Sequence, residues 1–347
     1  MGLFNERTKN ATGKTGVPVW FMRQAGRYHS HYQNIKKDSD FMTMCKTPDL
    51  ATEITLGPIQ DFKFDGAILF SDLLFPLEQL GLGLSYVSGP PTLEIHLQSQ
   101  ELIDKLKPIA PAKEFYQFQK QAVIQLREKL PKDVTLLGFV GAPFTLYTYA
   151  VEGSHAGGLI SSKQGLFDGR FESFMEKLIP ELVENMCIQA EGGAQGLCLF
   201  DTAAGELSFS EYKEFVLPKL RFVTAAFKKR HPDVQVVYYS KFTHMQYLKE
   251  IQDSNIDVLG IDWRMDLVEA LDVLGGEYRI QGNFDPSLLH LPWKHLENRL
   301  EKFWENANRT KRSLDRWVMG LGHGVLQHTP EENVRKTVEL IHQKFLY

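Results

Sequence analysis

The sequence predicts a single α/β domain of the (β/α)8 TIM-barrel class, and three observations carry that expectation. Eight short runs rich in apolar, β-branched or aromatic residues recur along the 347-residue chain. Each run is almost continuously apolar, as parallel strands are when helices cover both faces of their sheet, and amphipathic stretches alternate with the runs. No Gly-x-Gly-x-x-Gly follows the first run, which sets the barrel ahead of its structural alternative, a doubly wound open sheet.

Taken in order, an N-terminal segment, 1–16, reads as flexible and leads into the first strand, 17–22 (Val-Pro-Val-Trp-Phe-Met). Thr47-Pro48 offers a helix cap followed by proline at the first helical position, where its missing N–H costs nothing. The second strand is 66–70, and the segment from there to the third, 134–140, is longer than one helix needs. Leu84–Ile95, with its Ser88-Gly-Pro-Pro turn, reads as a β-hairpin insertion after the second strand, ahead of a helix over 113–130. Strands follow at 196–200, 234–239, 257–262, 278–282 and 316–320. Between them lie helices over 170–192 and over 210–229, the latter with Ser210 as a possible cap. Thr329-Pro-Glu-Glu332 reads as a capping box opening a last helix to about residue 344. No repeat, low-complexity tract or linker divides the chain, so residues 1–347 are expected to form one catalytic domain.

The balance of 43% apolar and 24% charged residues is that of a soluble globular protein with a sizeable core. No apolar stretch is long enough to span a bilayer, and the N-terminus lacks the pattern of a secretory signal. Three cysteines (Cys45, Cys187, Cys198) with no Cys-x-x-Cys point to a reducing compartment, by default the cytoplasm, and to no structural disulfide. A net charge of −4 argues against a nucleic-acid partner. It also means that an anionic ligand must be attracted by a local basic pocket.

Met22-Arg-Gln-Ala-Gly-Arg-Tyr28 supplies such a pocket directly after the first strand. Arginine suits carboxylate or phosphate because its planar fork makes paired, charge-assisted hydrogen bonds and stays protonated. Fully extended, the heptad would hold Arg23 and Arg27 roughly 13 Å apart, enough for two anionic groups of one large ligand. Two solvated surface arginines are the alternative; the apolar Trp20, Phe21 and Met22 beside them favour a pinned strand end. Asp72 either caps the helix after the second strand or stands as a carboxylate at the rim of a low-dielectric pocket. Tyr149 is open to reading as a core aromatic with a bonded hydroxyl, and His323, between Gly322 and Gly324, as a satisfied surface residue or a ligand contact. Arg23, Arg27, Asp72, Tyr149, Thr202 and His323 all fall after expected strands, at the end where barrels of this class build their sites. Gly153-Ser-His-Ala-Gly-Gly158 reads as a mobile loop over that mouth. Thiolate zinc ligation, phosphate-cradling loops and local Ser-His-Asp signatures are missing.

Six stretches, in order, resemble the uroporphyrinogen decarboxylase family: the heptad, Phe70-Ser-Asp72-Leu, Gly138-Phe-Val-Gly-Ala-Pro143-Phe-Thr145 with Tyr149, Gly260-Ile-Asp-Trp263, Gln281-Gly-Asn-Phe-Asp-Pro286 and Gly322-His323-Gly324. The resemblance implies removal of the four acetate carboxyl groups of uroporphyrinogen, giving coproporphyrinogen, by a cytoplasmic homodimer that needs neither cofactor nor metal. It implies Asp72 as the central carboxylate that accepts the pyrrole N–H groups, and Arg23 as clamp and candidate proton relay, against the high pKa of arginine. Gln24, Ala25, Gly26, Arg27, Tyr149, Thr202 and His323 would join Arg23 and Asp72 in binding substrate. Two other functions stand beside this one: a zinc-dependent methyltransferase of the same barrel superfamily, and a non-catalytic tetrapyrrole carrier.

Overall fold

Seven of the eight apolar runs become strands of one curled parallel sheet. A computed structural model describes residues 15–86 and 89–347. The strands are β1 (Gly66–Ile68), β4 (Thr135–Gly141), β5 (Gly196–Asp201), β6 (Gln235–Ser240), β7 (Val258–Gly260), β8 (Arg279–Phe284) and β9 (Trp317–Leu321), hydrogen-bonded in that order. Two further strands, β2 (Leu84–Ser85) and β3 (Thr92–Leu93), pair antiparallel as a separate small sheet with Leu84 opposite Leu93. Val87 and Ser88 of the intervening turn lie outside the described residues.

The run 17–22 is the exception, and its chemistry explains why. Val19 makes a single parallel bridge to Met319. Pro18 has no N–H to donate, and the N–H of Val19 is taken by the Asp65 carboxylate at 2.8 Å rather than by a neighbouring strand. The segment is nonetheless bonded on both sides: Trp20 N–H to Met319 O (3.0 Å), Met319 N–H to Pro18 O (2.8 Å) and Asp65 N–H to Val19 O (3.0 Å). Residues 1–14 of the N-terminal segment lie outside the described residues. Thr15 and Gly16, expected to be flexible with them, are instead buried and paired with the chain end, Thr15 exchanging two backbone bonds with Tyr347.

Alternation along each strand sends side chains to two faces. On β5, Leu197 and Leu199 join the large outer core against the helices, whereas Cys198 faces the concave side; on β6, Tyr238 and Tyr239 divide in the same way. The concave side is filled by Trp20, Ile68, Leu137, Cys198, Val237, Val258 and Val318, with Phe139 and Phe200 half-buried against them.

Helix Arg170–Gly192 occupies the expected span, while the stretch 113–130 divides into Ala112–Phe115 and Gln117–Lys129. Two expected caps are different. Ser208, not Ser210, builds the capping box, with Glu211, before the helical segment 209–230. A π-helical turn, Tyr212–Val216, lies just before Pro218, which cannot donate an N–H to the helix. In the last helix, Glu331–Lys344, no side chain caps the N-terminus, because the Thr329 hydroxyl pairs with His290 Nε2 at 3.2 Å.

Candidate active site

In a parallel sheet all strands point the same way, so residues that follow them gather at one end. Asp72 follows β1, Tyr149 lies on helix Pro143–Glu152 after β4, Thr202 follows β5, Lys241 follows β6, Trp263 follows β7 and His323 follows β9. The heptad joins them through the Gly322-His-Gly324 segment: the N–H of Val325 donates to Met22 O at 2.9 Å. Both glycines of that segment stand where another chain segment passes close. A Cβ on Gly322 would come within 2.2 Å of the Trp263 nitrogen, and one on Gly324 within 2.4 Å of Arg23 Cδ.

The heptad is a turn rather than an extended strip. Arg23 sits in the left-handed region (φ 57°), a conformation that costs a side-chain-bearing residue energy and that surrounding contacts must impose. Gln24, counted above among the ligand contacts, has its side chain consumed elsewhere: Nε2 donates to Gly66 O (3.0 Å) and Oε1 accepts from Ile68 N–H (3.0 Å) and Trp20 Nε1 (3.2 Å). That buried amide ties the heptad to β1 and leaves only backbone for a ligand. Ala25 packs toward Tyr32, Met44 and Ile54, Gly26 is half-buried, and Arg27 is exposed.

Arg23 is open to solvent by area, yet the walls around it crowd out enough water that desolvation, followed by the charge of Arg27, lowers its pKa from the ordinary value. Among the described residues, Arg23, Arg27 and Lys241 have no carboxylate within ion-pair distance. Arg264, by contrast, is held by Asp262 at 3.0 Å and stacks on Trp263.

Asp72, at the same end of the sheet, is a carboxylate with two donors. The N–H of Leu74 reaches Oδ1 at 2.7 Å and the Tyr86 hydroxyl reaches Oδ2 at 2.5 Å. Burial raises its pKa, while these two hydrogen bonds favour the charged form and oppose that rise. The contact with Leu74, two residues on, is the turn-capping role weighed above; the bond to Tyr86 goes beyond it.

Tyr149 feels the charges of both Asp72 and Arg23, and burial raises its hydroxyl to about 12. Its helix is fixed by Thr145, whose hydroxyl donates to Asp201 Oδ1 (2.7 Å) and accepts from Ala203 N–H (3.0 Å). The same contact sets Thr202, between Asp201 and Ala203, against that helix. Burial raises Asp201 to about 6, opposed by the hydroxyls of Thr145 and Tyr238. His323 is pushed down to about 3, first by desolvation and then by Arg23, Lys241 and His155, so its imidazole is neutral near pH 7. Phe139 and Phe200, ring centres 5.6 Å apart, lie half-buried on the concave side of the sheet.

Lys241, Tyr86 and His155 join this mouth although no pattern in the sequence marks them. His155 lies in the glycine-rich loop read above only as a cover. At the opposite ends of the strands a second cleft is lined by Asp253, Asp257 and Glu277 with Arg279 and Arg316, an acidic balance that suits a polyanion poorly. Among the described residues no three His, Cys, Asp or Glu side chains group as metal ligands, and the three cysteines are buried and free.

The family described as Uroporphyrinogen decarboxylase (URO-D) matches residues 7–344. A uroporphyrinogen decarboxylase of Gloeobacter violaceus is 34% identical over 93% of this chain and 92% of its own. One from Helicobacter pylori strain G27 is 36% identical over 94% and 95%. Among solved structures, a methyltransferase from Methanosarcina mazei superposes with TM-score 0.75 at 17% identity, over 95% of this chain and 94% of that one. A B12-independent methionine synthase from a Shewanella strain superposes with TM-score 0.56 at 12% identity, over 98% and 96%. These two likenesses concern the fold alone.

Proposed function

The chain belongs to the uroporphyrinogen decarboxylase family, and on that premise we propose that it removes the acetate carboxyl groups of uroporphyrinogen as carbon dioxide, leaving methyl groups and coproporphyrinogen, in haem and tetrapyrrole biosynthesis. The observation that carries this reading is a strand-end cluster in which Arg23, Arg27 and Lys241 lack carboxylate partners while Tyr149 stands within reach of the charges of both Arg23 and Asp72. Such a cluster fits a ligand that is anionic around its edge and becomes cationic at its centre. Uroporphyrinogen, with eight carboxylates around a ring of pyrroles, is that kind of ligand.

Loss of carbon dioxide leaves an electron pair that must be delocalised. Protonation of the neighbouring pyrrole carbon turns the ring into a cationic sink, so the substrate provides what a cofactor would otherwise supply. The electrons of the broken C–C bond flow into that ring, the methylene carbon takes a proton, and the ring carbon releases the one it gained. Each acetate therefore consumes one proton and releases one carbon dioxide.

Asp72 accepts the pyrrole N–H groups and provides the fixed negative charge beside the cation, which a preorganised low-dielectric site makes effective. Arg23 and Arg27 hold peripheral carboxylates; the lowered pKa of Arg23 moves it in the direction a proton relay needs. Tyr149, Thr202 and the neutral His323 orient further carboxylates, and the backbone of Gln24, Ala25 and Gly26 completes that wall.

The same reading takes the segment 17–22 as the eighth staved position that closes the sheet into a (β/α)8 barrel, supported by its bonds to both β9 and Asp65. It takes the β2–β3 pair as a β-hairpin insertion beside the mouth, since Tyr86 reaches Asp72 from it. It assigns the whole chain to one catalytic domain, acting as a cytoplasmic homodimer without nucleic acid, in keeping with its net charge of −4. No helix among the described residues is long and apolar enough to cross a membrane. Anaerobic incubation with uroporphyrinogen, with carbon dioxide and coproporphyrinogen measured, tests the reading. Release of carbon dioxide is expected; stoichiometric binding with no release would make the protein a tetrapyrrole carrier.

A further inference from the structure

The hydroxyl of Tyr149 meets Nδ1 of His155 at 2.5 Å, and the two rings lie 5.2 Å apart at 39°. His155 belongs to the loop after helix Pro143–Glu152, six residues beyond Tyr149 and beyond the αL cap at Gly153 that turns the chain back over the helix end. This contact makes the phenol a group whose proton has two possible directions. If Nδ1 is unprotonated, it accepts the O–H of Tyr149 and the hydroxyl presents only lone pairs to the cavity. If Nδ1 carries the proton, it donates to the phenol oxygen and the O–H is free to point into the cavity.

The surroundings keep the ring neutral, and the arriving ligand chooses between these states. Burial, Lys241 and Arg23 all lower the pKa of His155, so the ring is neutral and only one nitrogen carries hydrogen. Nδ1 is engaged with Tyr149, which leaves Nε2 outside that contact. A substrate carboxylate arriving beside Tyr149 favours the hydrogen on Nδ1, because a carboxylate needs a donor and only that tautomer frees the phenol O–H.

We propose that His155 is a positioning residue that donates from Nδ1 to the Tyr149 oxygen and so aims the phenol O–H at a carboxylate of the substrate. This rests on the decarboxylase reading given above. It extends that reading to a residue outside the motifs that identified the family.

The test is a kinetic cycle on the full chain with uroporphyrinogen under anaerobic conditions. The unaltered protein is assayed first, and absence of carbon dioxide release at that stage would count against the decarboxylase reading itself, before any variant is compared. Given activity, His155→Phe is expected to raise KM about 10-fold with kcat within about 2-fold, the signature of a lost ground-state contact. His155→Asn, whose amide nitrogen stands near the position of Nδ1, is expected to recover most of the loss. In a Tyr149→Phe background, His155→Phe should add little, because the hydroxyl it would orient is already gone. The proposal is overturned if His155→Phe leaves KM unchanged, or if its effect persists in full in the Tyr149→Phe protein. Should His155→Phe fail to fold, His155→Ala takes its place: a KM about 10-fold higher that His155→Asn largely restores supports the proposal, and an unchanged KM overturns it.

Discussion

Asp72 is pulled in opposite directions by its surroundings, and the balance is measurable. Burial raises its pKa, while the Tyr86 hydroxyl and the Leu74 N–H hold the charged form. If catalysis needs the carboxylate, activity falls as pH drops through a pKa above the ordinary aspartate range. Tyr86→Phe removes the hydroxyl that favours ionisation, so the pKa climbs further. One hydrogen bond to a charged group is worth about 1.5–3 kcal/mol, so the acid limb of kcat/KM should move upward by about 1 pH unit or more. A limb that stays in place would detach Asp72 from the acid limb. Asp72→Asn keeps the shape and loses the charge, and turnover should fall by about 100-fold or more with little change in melting temperature. Near-normal turnover in a folded Asn variant would remove Asp72 from the mechanism.

Between neighbouring elements, precision depends on close approach. The stem of Arg23 passes where a side chain on Gly324 would stand, with Cβ-to-Cδ and Cβ-to-Cγ separations of 2.4 and 2.6 Å. Gly324→Ala should therefore push the guanidinium from its position rather than unfold the protein. KM for uroporphyrinogen should rise about 10-fold or more while the melting temperature shifts by a few degrees; a KM unchanged by the substitution would mean that Arg23 has room to move without loss. The strands were legible from the sequence because burial on both faces forces near-continuous apolar runs, as in Leu136–Val140 and Val236–Tyr239. The caps were less so. Thr329 has the right spacing for a capping box, but a distant partner, His290, claims its hydroxyl. Gln24 shows the same limit at the site: a polar residue inside a ligand-binding motif can have its side chain taken by buried backbone, and no local pattern announces that. Lys241 and His155 carry no spacing signal, since only the assembled strand ends bring them beside Arg23.

Across the whole molecule, the two ends of the described chain meet beside the segment that leads into the active-site heptad. Val17 N–H donates to Phe345 O at 2.9 Å, and the ring of Phe345 is fully buried, stacked on Trp304 at 4.7 Å and on Trp317 of β9 at 6.1 Å. That aromatic stack therefore braces β9 and the segment 17–22 at once, and five residues separate Val17 from Arg23. Phe345→Ala should destabilise the fold by about 3–5 kcal/mol, the usual cost of emptying a buried phenylalanine site. The loss should not be uniform, because the segment 17–22 rests on a few bonds to Asp65 and Met319 rather than on a full ladder. Backbone N–H groups of Val19 and Trp20 should then exchange with solvent faster relative to those of β5 and β6 in the variant than in the unaltered protein. Because Arg23 hangs from that segment, kcat/KM should fall at temperatures well below the melting point. A variant that melts earlier but keeps its full kcat/KM at 25 °C, with exchange raised evenly over all strands, would show that the chain ends stabilise the sheet without positioning the arginines.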